Sequence, residues 1–488
     1  MRCKGFSYGL TKTCLRLYAQ FVQNTLCRLR VLSENLHEKP EPSTVIISSH
    51  LFRLIPAATN VRTWIAHAGI AALLTMLLAA TTDVQAQVPP PEQVPLPDLA
   101  EDTLVNPVRF SGYGTLAYAV DDHDELAMIR DISQRPSDGY LTNESWRLDS
   151  RLSAQASYQV NAQVGLLAQA GWRDQVAQDL NSILELGFVK YRPTNRTALR
   201  LGRIGFDVFL MSDHRNLGYA YNWVRPPSEY HSWIPIFSVD GVDMSHSFEA
   251  GSARWRIKGV AGNSAMAMPI GKENFKADIG DLYSLTLTRE SGPWRMKLGA
   301  TRYHHNNNLP TLEAVSNRLL ALGQPEATTI AEELDFKGSK HFVSLGLAYD
   351  DGVWTGQTEL GRSYSEHEIA SNSKMAYLAV GRRFNNWTPF FMAAISKPNQ
   401  PVRTSQTHWG SFEPLHDQVL HIVNSTRFDQ KTLSLGLRWD VHERAAVKVQ
   451  WDHSWIAPYG YATWFRAIPL NTQHSQINVG TVSLDFTF

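Results

Sequence analysis

Along most of this chain, apolar and polar residues alternate one for one. Between residues 145 and 158, Trp146, Leu148, Leu152, Ala154, Ala156 and Tyr158 fall on one face. Arg147, Asp149, Arg151, Ser153, Gln155 and Ser157 fall on the other. Successive side chains of an extended strand point to opposite sides. Period two held over ten or more residues therefore specifies a two-faced β-strand; an amphipathic helix would bring its apolar residues round every three or four.

The pattern recurs to the end of the chain. Ala162, Val164, Leu166, Ala168, Ala170 and Trp172 oppose Gln163, Gln169 and Arg173. Further on, Trp255, Ile257 and Ala261 oppose Arg254, Arg256 and Lys258, and Trp294, Met296, Leu298 and Ala300 oppose Arg295 and Lys297. Leu433, Leu435, Leu437 and Trp439 oppose Ser434 and Arg438, while Val447, Val449 and Trp451 oppose Lys448, Gln450 and Asp452. Gly, Asn, Asp and Pro punctuate these runs. Strand starts are predicted near residues 108, 145, 161, 182, 197, 239, 252, 279, 293, 340, 353, 373, 387, 432, 445 and 476, about sixteen in all. Connections read as short turns at 158–161, 192–197, 251, 292, 350–352 and 385–386. Long loops are expected at 121–143, 206–238, 304–338 and 398–430. In the third of these, Leu312, Val315, Leu319 and Leu320 fall at helical spacing and suggest a short helix within 311–334.

A soluble sandwich would alternate as well. Several of these runs reach ten to fourteen residues, whereas globular strands average about five or six and a tilted membrane strand needs about nine to eleven. Aromatics at the strand ends suit interfacial girdles. Closure into a barrel also leaves no unpaired backbone edge facing hydrocarbon. The expected fold class is all-β, a transmembrane antiparallel β-barrel spanning 108–488.

Composition removes other classes. At 43% hydrophobic residues and a mean hydropathy of −0.26, the chain lacks the several apolar runs of a helical membrane protein. Lys plus Arg equals Asp plus Glu at 46 each, so nothing favours nucleic acid as a partner. Cys3, Cys14 and Cys27 all lie near the start, which excludes a disulfide scaffold or thiolate metal site in the main body. His304 and His305, followed by three asparagines, read as a polar loop tip. No zinc-type spacing or phosphate-binding glycine loop appears, and neither a metal nor a cofactor is expected.

The N-terminal region reads as targeting sequence. Arg62, the apolar stretch 64–80 and Val84-Gln85-Ala86 form the n-region, h-region and cleavage site of a signal peptide over 61–86, with cleavage expected after Ala86. Residues 1–60 are expected to be an extension, arising from a translation start assigned too far upstream. The proline-rich stretch 87–107 suits a periplasmic linker.

The chain ends Asn478-Val-Gly480-Thr-Val-Ser-Leu-Asp-Phe486-Thr-Phe488. This resembles the closing strand of bacterial outer-membrane proteins. With the signal peptide and the alternating strands, the whole resembles the proteobacterial trimeric porins, of the general or the anion- and phosphate-selective type. The resemblance implies an outer-membrane location in a Gram-negative bacterium, export through the periplasm and a homotrimer set in outer-membrane lipid. It also implies that the barrel-assembly machinery reads Gly480, Phe486 and Phe488, and that small hydrophilic solutes diffuse passively through the lumen.

In sixteen-stranded porins the loop between the fifth and sixth strands folds inward as a constriction. Here that loop is 206–238, too aromatic and apolar for free solvent, with Pro226, Pro227 and Pro235 to stiffen it. Its polar members Asp207, Asp213, His214, Arg215, Arg225, Glu229 and His231 are the constriction candidates. Arg147, Arg151, Arg254, Arg256, Lys258, Arg295 and Lys297 are the basic pore-lining candidates and suggest anion preference; pairing with loop acids and Asp149 to hold the fold, with weak selectivity, is the competing role. Other readings remain open. A substrate-specific uptake channel would use Tyr219, Tyr221 and Trp223 with Arg225. A barrel enzyme would draw on His246-Ser247 or Asp452-His453-Ser454. An adhesin would carry a plugged lumen. No catalytic residue is assigned.

Overall fold

The computed structural model describes residues 108–134, 143–232, 234–270, 273–367, 369, 372–466 and 473–488. The segments expected at 1–60, 61–86 and 87–107 lie outside these.

Sixteen long strands form one sheet. They are β1 (Arg109–Asp121), β2 (Arg151–Gln159), β3 (Val164–Arg173), β4 (Leu184–Thr194), β5 (Thr197–Gly205), β6 (Ser238–Ala250), β7 (Ala253–Ile270) and β8 (Glu273–Ser291). Then come β9 (Trp294–His305), β10 (Gly338–Asp350), β11 (Trp354–Ser365), β12 (Ser373–Arg382), β13 (Trp387–Pro398), β14 (Gln430–His442), β15 (Ala445–Ile456) and β16 (Ser475–Thr487). Each pairs antiparallel with the next, and β16 returns to β1 in a ladder from Tyr113↔Thr487 to Asp121↔Val479. The sheet is a closed barrel. A sandwich, which would have edges, is ruled out.

The alternation decides which side meets what. Thr115, Ser153, Gln155, Thr286, Lys297, Ser434, Gln450 and Ser483 are buried and point inward. Between them Leu116, Leu285 and Val482 remain 54%, 56% and 49% exposed on the outside, as part of an apolar belt that continues through Leu152, Leu298, Leu360 and Val449. An apolar surface that encircles the molecule finds a matching solvent only in a bilayer. Aromatics pair at the strand ends: Trp387 stacks on Trp439 with centroids 4.9 Å apart, and Trp294 meets Tyr349 at 4.7 Å near the short turns. Tyr118 meets Trp146 at 4.5 Å toward the long loops.

Two expected boundaries move. The strand expected from residue 279 begins at Glu273, because a bulge interrupts its alternation. Asp281 takes φ +46°, and the register slips beside it against both β7 and β9. One extra residue inverts the facing, so Ala277 and Ile279 turn inward before Tyr283 and Leu285 turn to lipid. The strand expected from residue 145 begins at Arg151. Among the described residues just ahead of it only Glu144–Ser145 pairs, and Leu148 is buried in a cluster with Leu126, Ile456, Tyr461 and Val479. The alternation read through 146–150 belongs to a loop.

The long loops pack over one end. The helix expected within 311–334 is two helices, Pro310–Ala321 and Pro325–Glu333, separated at Gly323 (φ +64°). Leu312, Leu319, Ala327 and Ile330 join Val419 and Val423 of a third helix, Glu413–Asn424, in the main core. Leu320 is exposed instead.

Candidate functional site: the lumen and its inward loop

Residues 206–237 join β5 to β6 by crossing the barrel interior. Phe206, Val208, Phe209, Met211, Val224, Tyr230, Ile234 and Ile236 are all at most 2% exposed, against the inner wall rather than in water. Close approach needs space on the wall. At Gly346 of β10 a Cβ would lie 2.4 Å from Leu210 Cγ, so a larger residue there would displace the Leu210 side chain from the wall.

Polar contacts fix the loop to the far wall. Leu210 N donates to Glu359 Oε2 at 2.9 Å, and Tyr377 holds the other oxygen at 2.6 Å. Val224 N donates to Gln450 Oε1 at 2.7 Å, and Lys448 donates to the carbonyls of Gly218 and Trp223 at 2.6 and 2.8 Å. Arg438 donates to the carbonyls of Tyr219 and Tyr221 at 2.7 and 3.0 Å. The strongest tie is Arg225, whose Nη2 meets Asp149 Oδ2 at 2.7 Å and whose Nη1 meets Asp452 Oδ2 at 2.6 Å, with Thr481 also in reach. Arg130 Nη1 holds the other Asp149 oxygen at 2.6 Å. Burial alone would raise the Asp149 carboxyl, but Arg225 and Arg130 reverse that and hold it down at about 2.

The opposite side of the loop faces open space. A cavity of about 1650 Å³ runs between it and the wall, lined by Asn195 and Arg196 at the short-turn end and by Ala177 and Ala267 toward the long loops. Fourteen Lys and Arg side chains line it against six Asp and Glu. Several of the acids are already paired. Asp207 takes Lys258 at 2.9 Å and also Lys297, while Glu290 takes Arg295 at 3.0 Å and Asp350 takes Arg383 at 2.6 Å. Burial opposes ionisation of Asp207, but the two lysines hold it far below the usual carboxylate range. Burial pushes His214 down to about 4, which leaves it neutral at neutral pH. Burial, with Arg173 next, lowers Arg215 to about 9, so it keeps its charge.

The constriction candidates divide into two groups. Asp207, Asp213, His214 and Arg215 line the cavity. Arg215 also donates to the carbonyls of Ile234 and Ile236, and it lies 3.9 Å over the Phe237 ring, with Arg173 3.4 Å from that ring. Arg225, Glu229 and His231 are outside the lining and pack into the anchored side. There Glu229 accepts from Gln430 at 2.6 Å, and His231 stacks edge-on to Phe209 at 5.0 Å.

The basic candidates divide too. Arg254, Arg256, Lys258, Arg295 and Lys297 line the cavity. Arg147 does not; its side chain is 52% exposed and pairs with Asp174 at 2.7 Å in the loops. Arg151 is buried beside β1, also outside the lining, and its Nε and Nη2 have no hydrogen-bond partner among the described residues. Lys190, Arg192, Arg196, Arg200, Arg383 and Arg444 line the cavity and were not among the candidates. Lys190 and Arg192 alternate with Val189 and Tyr191, so period two alone would have found them.

Gly480, Phe486 and Phe488 sit on the closing strand or just beyond it. The Phe488 backbone exchanges two hydrogen bonds of 2.9 Å with Gly112 of β1. The residues considered for hydrolytic chemistry do not converge. Ser454 is buried on the inner face against Thr432, whereas His453 bonds Asn478 at 2.7 Å on the outer one. Asp452 is taken by Arg225. His246 stacks on Phe248, one strand position over from lumen-lining Ser247.

No family model matches the chain, and no curated protein matches it in sequence. Among solved structures it is similar to the anion-selective porin from Comamonas acidovorans, at 11% identity and a TM-score of 0.46, covering 78% of this chain and 99% of that one. It is also similar to OmpF of Salmonella typhi, at 10% identity and 0.45, covering 79% and 98%. OmpT of Vibrio cholerae gives 12% identity and 0.43, covering 80% and 99%. Likeness at this level fixes neither solute nor selectivity. The sixteen-stranded closed barrel and its inward loop are this chain's own.

Proposed function

We propose that the chain is a porin of a Gram-negative outer membrane, a passive channel for small hydrophilic solutes that prefers anions. The cavity lining carries the reading, with fourteen basic side chains against six acidic ones. Low-dielectric walls focus the field of such a lining and enrich counter-ions inside it. Arg254 and Arg256 have no ion pair among the described residues and contribute most directly. The loop anchored by Arg225 is a fixed wall that narrows the lumen, and no step of chemistry is assigned to it. A homotrimer accompanies this reading, to be checked by cross-linking in native membranes.

Liposome swelling tests the channel itself. Proteoliposomes should swell in small neutral sugars and faster in small organic anions of equal size. Swelling no faster than protein-free liposomes would refute the proposal. The stacked pair Tyr221 and Trp223, with centroids 5.7 Å apart, also lines the cavity and favours a second reading, a saturable solute site. Its sign would be uptake that saturates with one solute and is competed by another.

A further inference from the structure

Away from the lumen, the helix Glu413–Asn424 opens with Glu-Pro-Leu-His-Asp. Glu413, His416 and Asp417 therefore stand three and four positions apart on one face. One ligand-capable atom of each lies within 4.8 Å of those of the other two. Glu413 Oε1 is 3.7 Å from His416 Nδ1 and 3.5 Å from Nδ1 of His408, just ahead of the helix. The second carboxylate oxygen of Glu413 is fixed by the Trp409 backbone N–H at 2.8 Å, which leaves Oε1 turned toward the two imidazoles.

His416 supplies an independent observation. It is 3% exposed and stacked on the Trp409 indole at 4.6 Å, yet neither ring nitrogen has a hydrogen-bond partner among the described residues. Buried polar atoms are nearly always satisfied, and 3.7 Å is too long for a hydrogen bond. Zinc bonds of about 2.0–2.1 Å in a tetrahedron set neighbouring ligand atoms about 3.3–3.4 Å apart. The Glu413–His408 and Glu413–His416 separations of 3.5 and 3.7 Å need shifts of a few tenths of an ångström, and the exposed side chains of Asp417 and His408 close the rest by rotation. Two imidazoles with carboxylates suit Zn²⁺, whereas Ca²⁺ and Mg²⁺ take oxygen ligands.

We propose that Glu413, His416 and Asp417 bind one Zn²⁺ on the loop cap of the barrel, with the exposed His408 ring swinging in as the fourth ligand. The ion joins residues 408–409 to the helix that follows. Trp409 Nε1 donates to Glu326 Oε2 at 3.1 Å in the helix Pro325–Glu333, so the segment the ion holds is itself hydrogen-bonded to the other long loop. The site is a staple on the cap, separate from the cavity.

Isothermal titration of tag-free, refolded full-length barrel in detergent with ZnCl₂ tests this. One equivalent should bind per chain, and Ca²⁺ or Mg²⁺ should not displace it. His416→Ala and Glu413→Gln should each weaken binding by at least about tenfold. His421→Ala, on the same helix but outside the cluster, should leave it unchanged. Heat-modifiable migration confirms that each variant is folded, and Glu413→Gln serves if His416→Ala is not. No stoichiometric binding, or binding that survives Glu413→Gln in a folded barrel, overturns the site.

Discussion

Arg225 of the inward loop and Asp149, which precedes β2, meet inside the barrel at 2.7 Å, both essentially without solvent contact. Residues far apart in the chain are thereby joined across the lumen, and Asp452 on β15 completes the tie at 2.6 Å. Removing one partner of a buried pair strands the other charge, at a cost of about 3–5 kcal/mol. Arg225→Ala should lower the temperature at which the folded barrel loses its compact electrophoretic form, and it should raise open-channel current noise as the loop loosens. Arg225→Lys should rescue only partly, because a single ammonium cannot reproduce the fork. Unchanged stability and noise in Arg225→Ala would show that the apolar contacts hold the loop unaided.

The same tie sets an acid limit. Arg225 and Arg130 overcome the effect of burial and hold the Asp149 carboxyl at about 2, below its ordinary 3.8. A depressed carboxylate stabilises the fold fully above its unfolded value, and that stabilisation is lost as pH falls through the folded value. Here it amounts to about 2 kcal/mol. The stability difference between wild type and Asp149→Asn, followed by near-UV circular dichroism on heating, should stay constant from pH 7 to about 4 and then shrink toward pH 2. Asp149→Asn should remove that component while lowering stability at neutral pH.

Barrel closure depends on Gly112. A Cβ there would stand 2.3 Å from the Phe488 ring and 2.6 Å from the Ser153 carbonyl oxygen, and the latter, being backbone, cannot swing away. Gly112→Val should reduce refolding yield in detergent, measured as the heat-modifiable fraction. Wild-type yield would mean that the ladder absorbs the branch.

Selectivity should follow the lining rather than the total charge. Arg254→Gln together with Arg256→Gln should lower the chloride-over-potassium permeability ratio roughly twofold or more. Arg147→Gln removes a charge outside the cavity and should leave the ratio unchanged. The effect should shrink with added salt, as the Debye length falls from about 10 Å at 0.1 M to about 3 Å at 1 M.

The barrel was legible because its code is local. Each strand announces itself by period two, and sixteen starts could be placed, the strand at Glu273 and the one at Arg151 each by only some six residues off. Both misses have a local cause, a bulge at Asp281 and a loop that alternates by coincidence through Arg147 and Asp149. The lumen was less legible because its pairings are not local. Nothing near Arg225 in sequence indicates that Asp149 and Asp452 will neutralise it, or that Glu229 will face Gln430 instead of the cavity. The paired side of a loop can be told from its open side only when the opposite wall is known. Lys190 and Arg192 were different, since their alternation with Val189 and Tyr191 was in view.

The central claim is an open, anion-preferring lumen. Single-channel recording of the refolded protein in a planar bilayer, with reversal potential under a salt gradient, tests it most directly. Stepwise conductance with a reversal potential displaced toward that of chloride is the predicted result. A folded barrel that passes no current, or one that prefers potassium, would contradict it.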